Sequence, residues 1–269
     1  MNLLGHKYLL GNRASKSSFA LGTEWSYYTG IVSGLPDVGS YSSITLFVKD
    51  SDFYAIMGSL STGMYGFKWT GSTWATNSSI ISGWSGSNQM YKPCVHKWGG
   101  KLVMYVGQND GQVKGWYWYN NYMWKTFTTY GISTAVGYAA PTLFTIGSDT
   151  YCVMGDKNGV YAGYKWNGSN WSAYSSIVSG LPDVGYRSTS AYLLIDDTPC
   201  LLLGSYGNYC FWGYKWTGST WAYDVSIAAG IGSVYKDLVP SVCVYGSYRY
   251  LLTGHYAGGV YGFRNTNIL

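Results

Sequence analysis

The sequence predicts an all-β fold, a five-bladed β-propeller with four strands per blade. One phrase is repeated: the chain reads GFKWTGSTWATNSSI from residue 66, GYKWNGSNWSAYSSI from residue 163 and GYKWTGSTWAYDVSI from residue 213. The second tryptophan of this phrase marks a period of 47 to 50 residues, at Trp25, Trp74, Trp124, Trp171 and Trp221. A glycine that follows an apolar run has the same period, at Gly58, Gly107, Gly155, Gly204 and Gly254. Two independent markers with one period predict five copies of one structural unit.

Each copy has the residue pattern of β-strands. Between residues 187 and 227, short apolar or alternating runs such as PCLLLG and CFWGYKW are separated by clusters of Gly, Asp, Asn and Ser, which are typical of strand boundaries. No helical period of 3.6 residues persists. Four short strands in a unit of this length are typical of a propeller blade. We name them A to D from the centre outwards and expect strand A near residues 42–49, 91–97, 139–146, 188–195 and 237–244.

The repeated phrase itself predicts a hairpin between strands C and D. In KWTGSTW, Gly71 and Ser72 suit a two-residue turn, because glycine adopts positive φ without strain. Trp69 then lies opposite Trp74, and the pairs Trp166–Trp171 and Trp216–Trp221 repeat this arrangement. In the second blade Trp118 and Trp124 are one residue further apart, so either the loop is longer or the register differs. We interpret the phrase as structural, not as a recognition motif.

The two ends of the propeller are predicted to meet in one blade. The chain ends after strand C of the fifth unit, whereas the segment TEWSYYTGIVSGLPDVG (23–39) resembles NWSAYSSIVSGLPDVG (170–185). Residues 23–31 are therefore expected to form the outer strand of the last blade, which leaves no open sheet edge between the termini. Residues 23–269 form the propeller in this interpretation. Residues 1–22 remain an N-terminal extension, with docking to neighbouring subunits as one role.

Composition excludes several classes of protein. The net charge of +5 is spread along the chain and lysine and arginine form no run, so a nucleic-acid groove is not expected. No stretch approaches the roughly 20 apolar residues of a transmembrane helix, and no signal peptide is evident at the N-terminus. The five cysteines include no CxxC pair, which argues against a zinc site. With 11% charged and 19% aromatic residues, the chain is expected to be an ordered protein. Its expected location is an extracellular surface or a virion.

Residues 175–204, SSIVSGLPDVGYRSTSAYLLIDDTPCLLLG, resemble the FG-GAP or VCBS repeats of integrin-like β-propellers. That resemblance implies the propeller fold, and in that family the loop between strands A and B binds calcium through several carboxylates. Here these loops read KDSDF, KWGGK, GSDTY, IDDTP and YGSYR. Calcium takes six to eight oxygen ligands, and no loop offers more than two acids. We therefore expect no metal site and no other cofactor.

The titratable side chains argue against an enzyme. Glu24 is the only glutamate and the histidines are His6, His96 and His255. A glycosidase needs two carboxylates that flank the scissile bond, and no spacing in the sequence pairs two of the aspartates. No phosphate-binding glycine-rich loop opens a helix. The expectation is a protein that is not an enzyme.

The loops on one face of the propeller offer candidate binding residues. The B–C and D–A loops emerge on a common face and carry Asn, Asp, Tyr and Gly with little charge, as a sugar site requires. The same residues also form ordinary turns. The candidate ligand-binding residues are Asp37, Asn109, Asp110, Asp156, Asn158, Asp183, Tyr206, Asn208, His255 and Tyr256.

Two functions remain open at this point. The first is a non-catalytic, lectin-like module that binds a glycan or a glycosylated surface through these loops, with avidity from several weak sites. The alternative is a structural or host-recognition protein on a virion or cell surface. Only the loop sequence SGLPDVG repeats closely, which argues against five identical sites.

Overall fold

The computed structural model shows five four-stranded antiparallel sheets arranged as the blades of a ring. It describes residues 24–265 except 40–41, 60–62, 85–89, 121–122, 134, 136, 205–209, 233–237 and 255–258. The predicted all-β five-bladed propeller is confirmed, and the described residues form no α-helix, only short 3₁₀ turns. They also include no helix long and apolar enough to cross a membrane. The assignment of residues 1–22 to an extension stays a prediction, because residues 1–23 lie outside the described part.

The strands follow the chain from the inside of each blade to its outer rim. Strand β1 is Ser26–Tyr27. Blade 1 contains β2 (Ser43–Lys49), β3 (Asp52–Ser59), β4 (Gly63–Trp69) and β5 (Trp74–Thr76). Blade 2 contains β6 (Met90–Trp98), β7 (Lys101–Gln108), β8 (Val113–Tyr119) and β9 (Met123–Phe127). Blade 3 contains β10 (Ala140–Ile146), β11 (Asp149–Gly155), β12 (Tyr161–Trp166) and β13 (Trp171–Ala173).

The last two blades follow the same plan. Blade 4 contains β14 (Thr189–Ile195), β15 (Thr198–Gly204), β16 (Trp212–Trp216) and β17 (Trp221–Tyr223). Blade 5 contains β18 (Val239–Tyr245), β19 (Tyr248–Gly254) and β20 (Val260–Asn265), and β1 is its fourth strand. Four 3₁₀ turns follow the outer strands, at Thr29–Val32, Ser78–Ile81, Ser175–Val178 and Val225–Ala228.

The N-terminal strand closes the ring as the sequence predicts. Ser26 lies opposite Arg264 and Tyr27 opposite Phe263 in the antiparallel pair of β1 with β20. Strand β20 therefore has neighbours on both edges, β19 and β1, and is not an edge strand of the sheet.

The tryptophan of each outer strand pairs within its own hairpin and also contacts the preceding blade. The three predicted pairs, Trp69–Trp74, Trp166–Trp171 and Trp216–Trp221, face each other across the hairpin, and Gly71 has the positive φ of +102° that the turn requires. In blade 2 the pair Trp118–Trp124 is kept and the loop is longer.

The indole nitrogens show what the outer-strand tryptophans do. Four of the five donate to the carbonyl of an isoleucine in the 3₁₀ turn of the preceding blade: Trp25 to Ile227, Trp74 to Ile31, Trp124 to Ile80 and Trp221 to Ile177. The fifth, Trp171, donates to the hydroxyl of Tyr105 in blade 2 at 2.8 Å. The repeated phrase therefore joins neighbouring blades.

The hydrophobic core lies between blades, and the second sequence marker follows from it. One cluster packs Phe53 and Trp74 of blade 1 against Tyr250 and Leu252 of blade 5. Four of the five marker glycines, all but Gly58, lie where strand B passes close to the backbone of the next blade. A Cβ on Gly155, for example, would overlap the carbonyl oxygen of Ser188. Only glycine allows that approach.

Candidate functional site

A cavity of about 310 Å³ forms a channel along the axis of the ring. The inner strands of all five blades line it. At the end next to the loop face, the first residues of these strands are buried, for example Ser43, Ala140 and Thr189 at 1% exposure or less. Near the A–B turns, Val48, Leu194 and Val244 are 37%, 48% and 49% exposed. The channel therefore opens on the face of the A–B turns, opposite the loops that the sequence singled out.

A lysine lies at the buried end of the channel. Lys92, near the start of β6, is 3% exposed. Its ammonium donates to Thr142 Oγ1 in blade 3 at 3.0 Å and to the carbonyl of Ser190 in blade 4. The two acceptors also bond each other, because Thr142 Oγ1 donates to the Ser190 carbonyl at 2.8 Å and Ser190 Oγ donates to Thr142 Oγ1 at 2.9 Å. One lysine thus links three blades.

The ammonium of Lys92 has no counter-ion among the residues that the structure describes. Among the described residues no aspartate or glutamate lines the channel, and no carboxylate contacts Lys92. Burial lowers the pKa of Lys92 to about 8, because a charge loses hydration in the interior. The thiols of Cys94 and Cys152 lie nearby, and burial raises the pKa of both. They stay neutral near pH 7 and do not compensate the lysine.

Polar groups continue along the channel towards its mouth. His96 is half-buried and its Nε2 lies 3.2 Å from Thr145 Oγ1. Burial lowers the pKa of His96, which favours the neutral imidazole at pH 7. The Tyr192 hydroxyl donates to the Thr145 carbonyl at 3.1 Å, and burial raises the pKa of Tyr192 to about 12. Hydroxyl, imidazole and ammonium groups therefore meet in one apolar-walled channel.

Those predicted loop residues that the structure describes lie on the opposite face, where the aspartates cap turns. Asp156 Oδ1 accepts from the amides of Asn158 and Val160 at 2.8 and 3.1 Å. Asp37, Asp110 and Asp183 each accept from the amide two residues further along. This is the ordinary Asx-turn arrangement.

Some of the predicted loop residues come together and others do not. The loops of Asp156 and Asp183 touch, since a Cβ on Gly159 would overlap Asp183 Oδ1. A small cavity of about 140 Å³ borders Asp156 and Val160. Asn109 accepts through its backbone carbonyl from the amide of Tyr138. Tyr206, Asn208, His255 and Tyr256 lie outside the described residues. The loop site stays a prediction.

Known structures share this fold across nearly the whole chain. The catalytic domain of the Coprinopsis cinerea GH62 α-L-arabinofuranosidase has a TM-score of 0.66 at 12% identity, covering 93% of this chain and 99% of that one. A putative glycoside hydrolase from Parabacteroides distasonis has a TM-score of 0.65 at 10% identity, covering 92% and 97%. The SapL1 lectin in complex with α-methyl fucoside has a TM-score of 0.57 at 13% identity, covering 88% and 85%. Other similar structures include family-43 glycoside hydrolases.

No protein-family model and no curated protein matches the sequence. The propeller that the resemblance to FG-GAP repeats implies is present, whereas the assignment to those repeats has no support from these comparisons. Identities of 8 to 13% show the fold and transfer no residue roles.

Two expectations are overturned by these structures. The predictions of a non-catalytic module and of a protein that is not an enzyme are wrong, because the propellers that match nearly the whole chain are mostly glycoside hydrolases. A small number of titratable residues does not exclude an enzyme, for a physical reason. A ring brings side chains from five distant strands to one axis, so no spacing along the sequence reveals which of them meet.

Lys92 is not among the predicted site residues, although the alignment of the repeats marks it as unusual. Lys92 lies opposite the marker Gly107, just as Ser43 lies opposite Gly58 and Ala140 opposite Gly155. Alignment of the copies on the marker glycine places a lysine where the others have Ser, Ala, Thr or Val. His96 follows on the same strand, in KPCVH (92–96).

Proposed function

We propose that the protein is a carbohydrate-active protein and that its sugar site is the central channel. The observation that carries this is the channel itself, a cavity of about 310 Å³ with converging polar groups and one open end. That volume is at the lower end of ligand pockets, which start near 300 Å³, and suits one sugar unit. The similar structures named for xylosidase, arabinofuranosidase and fucoside-binding proteins support a glycan as the partner.

The channel supplies both kinds of contact that a sugar needs. Apolar side chains such as Leu46 and Val242 form its walls. The imidazole of His96 and the ammonium of Lys92 provide hydrogen bonds. A few directed polar groups in an apolar wall fix the orientation of a small ligand.

The chemistry of this site differs from that of a glycosidase with two carboxylates. Such hydrolysis needs two acids that flank the bond, and among the described residues the channel wall has none. The proton-exchanging groups there are Lys92, whose pKa burial lowers to about 8, and His96, whose pKa burial also lowers. Turnover at this site has to use these two.

Two tryptophan substitutions test the assignment of the site. Val244→Trp adds bulk at the channel mouth, where Val244 is 49% exposed, and Val160→Trp adds it beside the loop cavity, where Val160 is 53% exposed. Binding of monosaccharides is measured by saturation-transfer NMR, and turnover with a panel of 4-nitrophenyl glycosides that includes xylopyranoside and arabinofuranoside. Melting temperatures of both variants check that the fold survives.

We expect Val244→Trp to abolish sugar binding and any turnover, and Val160→Trp to leave them unchanged. The reverse result would move the site to the loop face. If the unmodified protein shows neither binding nor turnover with any sugar tested, the proposed function is wrong.

A further inference from the structure

The ammonium of Lys92 is a buried charge that borders the channel. It is buried, it donates to two neutral oxygens, and no carboxylate contacts it. Other lysines that form ion pairs, such as Lys68 with Asp52 and Lys165 with Asp149, lie near the surface. A buried charge without a partner is costly. Only two acceptors among the described residues are shown for the three N–H groups of Lys92, and Lys92 lines the cavity.

We infer that the channel takes an acidic sugar whose anionic group pairs with Lys92. This inference rests on the proposed function, because it names the class of sugar at the same site. An anion at the buried end would supply the missing counter-ion and accept the free N–H of the ammonium. Charge-assisted hydrogen bonds of this kind are about twice as strong as neutral ones, and the surrounding protein excludes water that would weaken them.

A second observation agrees with an anionic ligand. The mouth of the channel has lysines on one side: Lys97 lines the channel, and a neighbouring pocket at the same face is lined by Lys49, Asp50, Lys97 and Lys101. Lys97 and Lys101 are exposed, and Lys49 pairs with Asp50. Asp196 and Asp197, on the A–B turn of blade 4, do not line the channel. Positive charge at an entrance attracts anions and raises their rate of association.

The pH dependence of binding follows from the groups that face Lys92. These are the thiol of Cys94 on its own strand and the thiol of Cys152 on β11. Thr142 on β10 and Ser190 on β14 do not titrate. Because both thiols have raised pKa values, Lys92 is the group whose charge changes near pH 8. Only its protonated form pairs with an anion, so affinity for an acidic sugar should fall about tenfold between pH 7 and pH 9.

Matched pairs of sugars test this inference. Isothermal titration calorimetry compares glucuronate with glucose, and galacturonate with galactose, at pH 7 and pH 9. Galactose 6-sulfate distinguishes a carboxylate from another singly charged group. The variants are Lys92→Met, which removes the buried charge, and Lys114→Met, which removes an exposed charge from β8 of the same blade.

We expect each uronate to bind at least about tenfold tighter than its neutral counterpart at pH 7. Lys92→Met should remove this preference, whereas Lys114→Met should keep it. Equal affinity for neutral and acidic sugars would overturn the acidic ligand and leave the sugar site standing. A preference that survives in Lys92→Met would show that another group binds the anion. Absence of all sugar binding would overturn the proposed function together with this inference.

Discussion

Replacement of Lys92 by methionine should make the free protein more stable at pH 7. Methionine has a similar length and no charge, so it fills the same space without the desolvation penalty. It also leaves no hydrogen-bond acceptor without a donor. The Ser190 carbonyl still accepts from Thr142 Oγ1, and Thr142 Oγ1 still accepts from Ser190 Oγ.

The size of the effect follows from the pKa of the lysine. A fall from the ordinary value of 10.5 to about 8 means that the folded protein disfavours the ammonium by about 3 kcal/mol, at about 1.4 kcal/mol per pKa unit. Methionine avoids this cost. In a protein of this size, about 3 kcal/mol corresponds to a rise in melting temperature of about 6 to 12 °C.

The gain should depend on pH in one direction. Below pH 8 both the folded and the unfolded chain carry the proton on Lys92, so the full penalty is present. Between pH 8 and 10.5 the unfolded chain binds a proton that the folded chain does not, so the stability of the unmodified protein rises with pH. At pH 10 the advantage of the methionine variant should therefore fall below about 1 kcal/mol.

Urea unfolding followed by tryptophan fluorescence at pH 7 and pH 10 measures both values. Lys97→Met is the control, because it removes an exposed lysine from the same strand, and it should change stability by less than about 0.5 kcal/mol. A methionine variant that is less stable than the unmodified protein at both pH values would refute the reasoning. It would show that the ammonium is stabilised inside the folded protein.

Three further predictions concern the ring. Trp171→Ala should destabilise the protein by about 3–5 kcal/mol in urea unfolding, because it removes a 1% exposed indole and its hydrogen bond to Tyr105. An unchanged unfolding midpoint would show that the stability of the ring does not depend on this contact. Deletion of residues 1–31 should lower the melting temperature far more than deletion of residues 1–20, since the longer deletion removes β1, Trp25 and Ile31. Equal melting temperatures of the two deletions would contradict closure of the ring by β1. EDTA should leave the melting temperature unchanged, because no group of three metal-binding side chains exists in the described residues, and a fall of several degrees would reveal an ion site.

The fold was predictable because its determinants are local and repeated. The Trp pairs depend on hairpin register within a few residues, and the period of the markers gives the number of blades. The matching phrase at Trp25 even placed the closing strand at the other end of the chain. What the phrase does between blades was not predictable, since the bond from Trp74 to the carbonyl of Ile31 requires the ring to exist.

The channel was not predictable in the same way. Lys92, Thr142 and Ser190 are about 50 residues apart in sequence and meet only because the inner strands surround one axis. The loops were predicted as the binding site because their residue types are those of sugar sites. In the structure, Asp156 and Asp183 use side-chain oxygens to cap turns. Residue type alone does not separate these two roles.

The cost of Lys92 and its proposed role have one physical cause. Burial removes water from the ammonium, which destabilises the free protein and at the same time strengthens its attraction to an anion. An anion bound at the buried end would favour the ammonium form and so raise the pKa of Lys92 back towards its ordinary value. Binding at pH 8.5, above the free pKa of about 8, should then draw a proton from solution. A lysine held only for packing would show the cost without the proton uptake, so the two roles differ in what they predict.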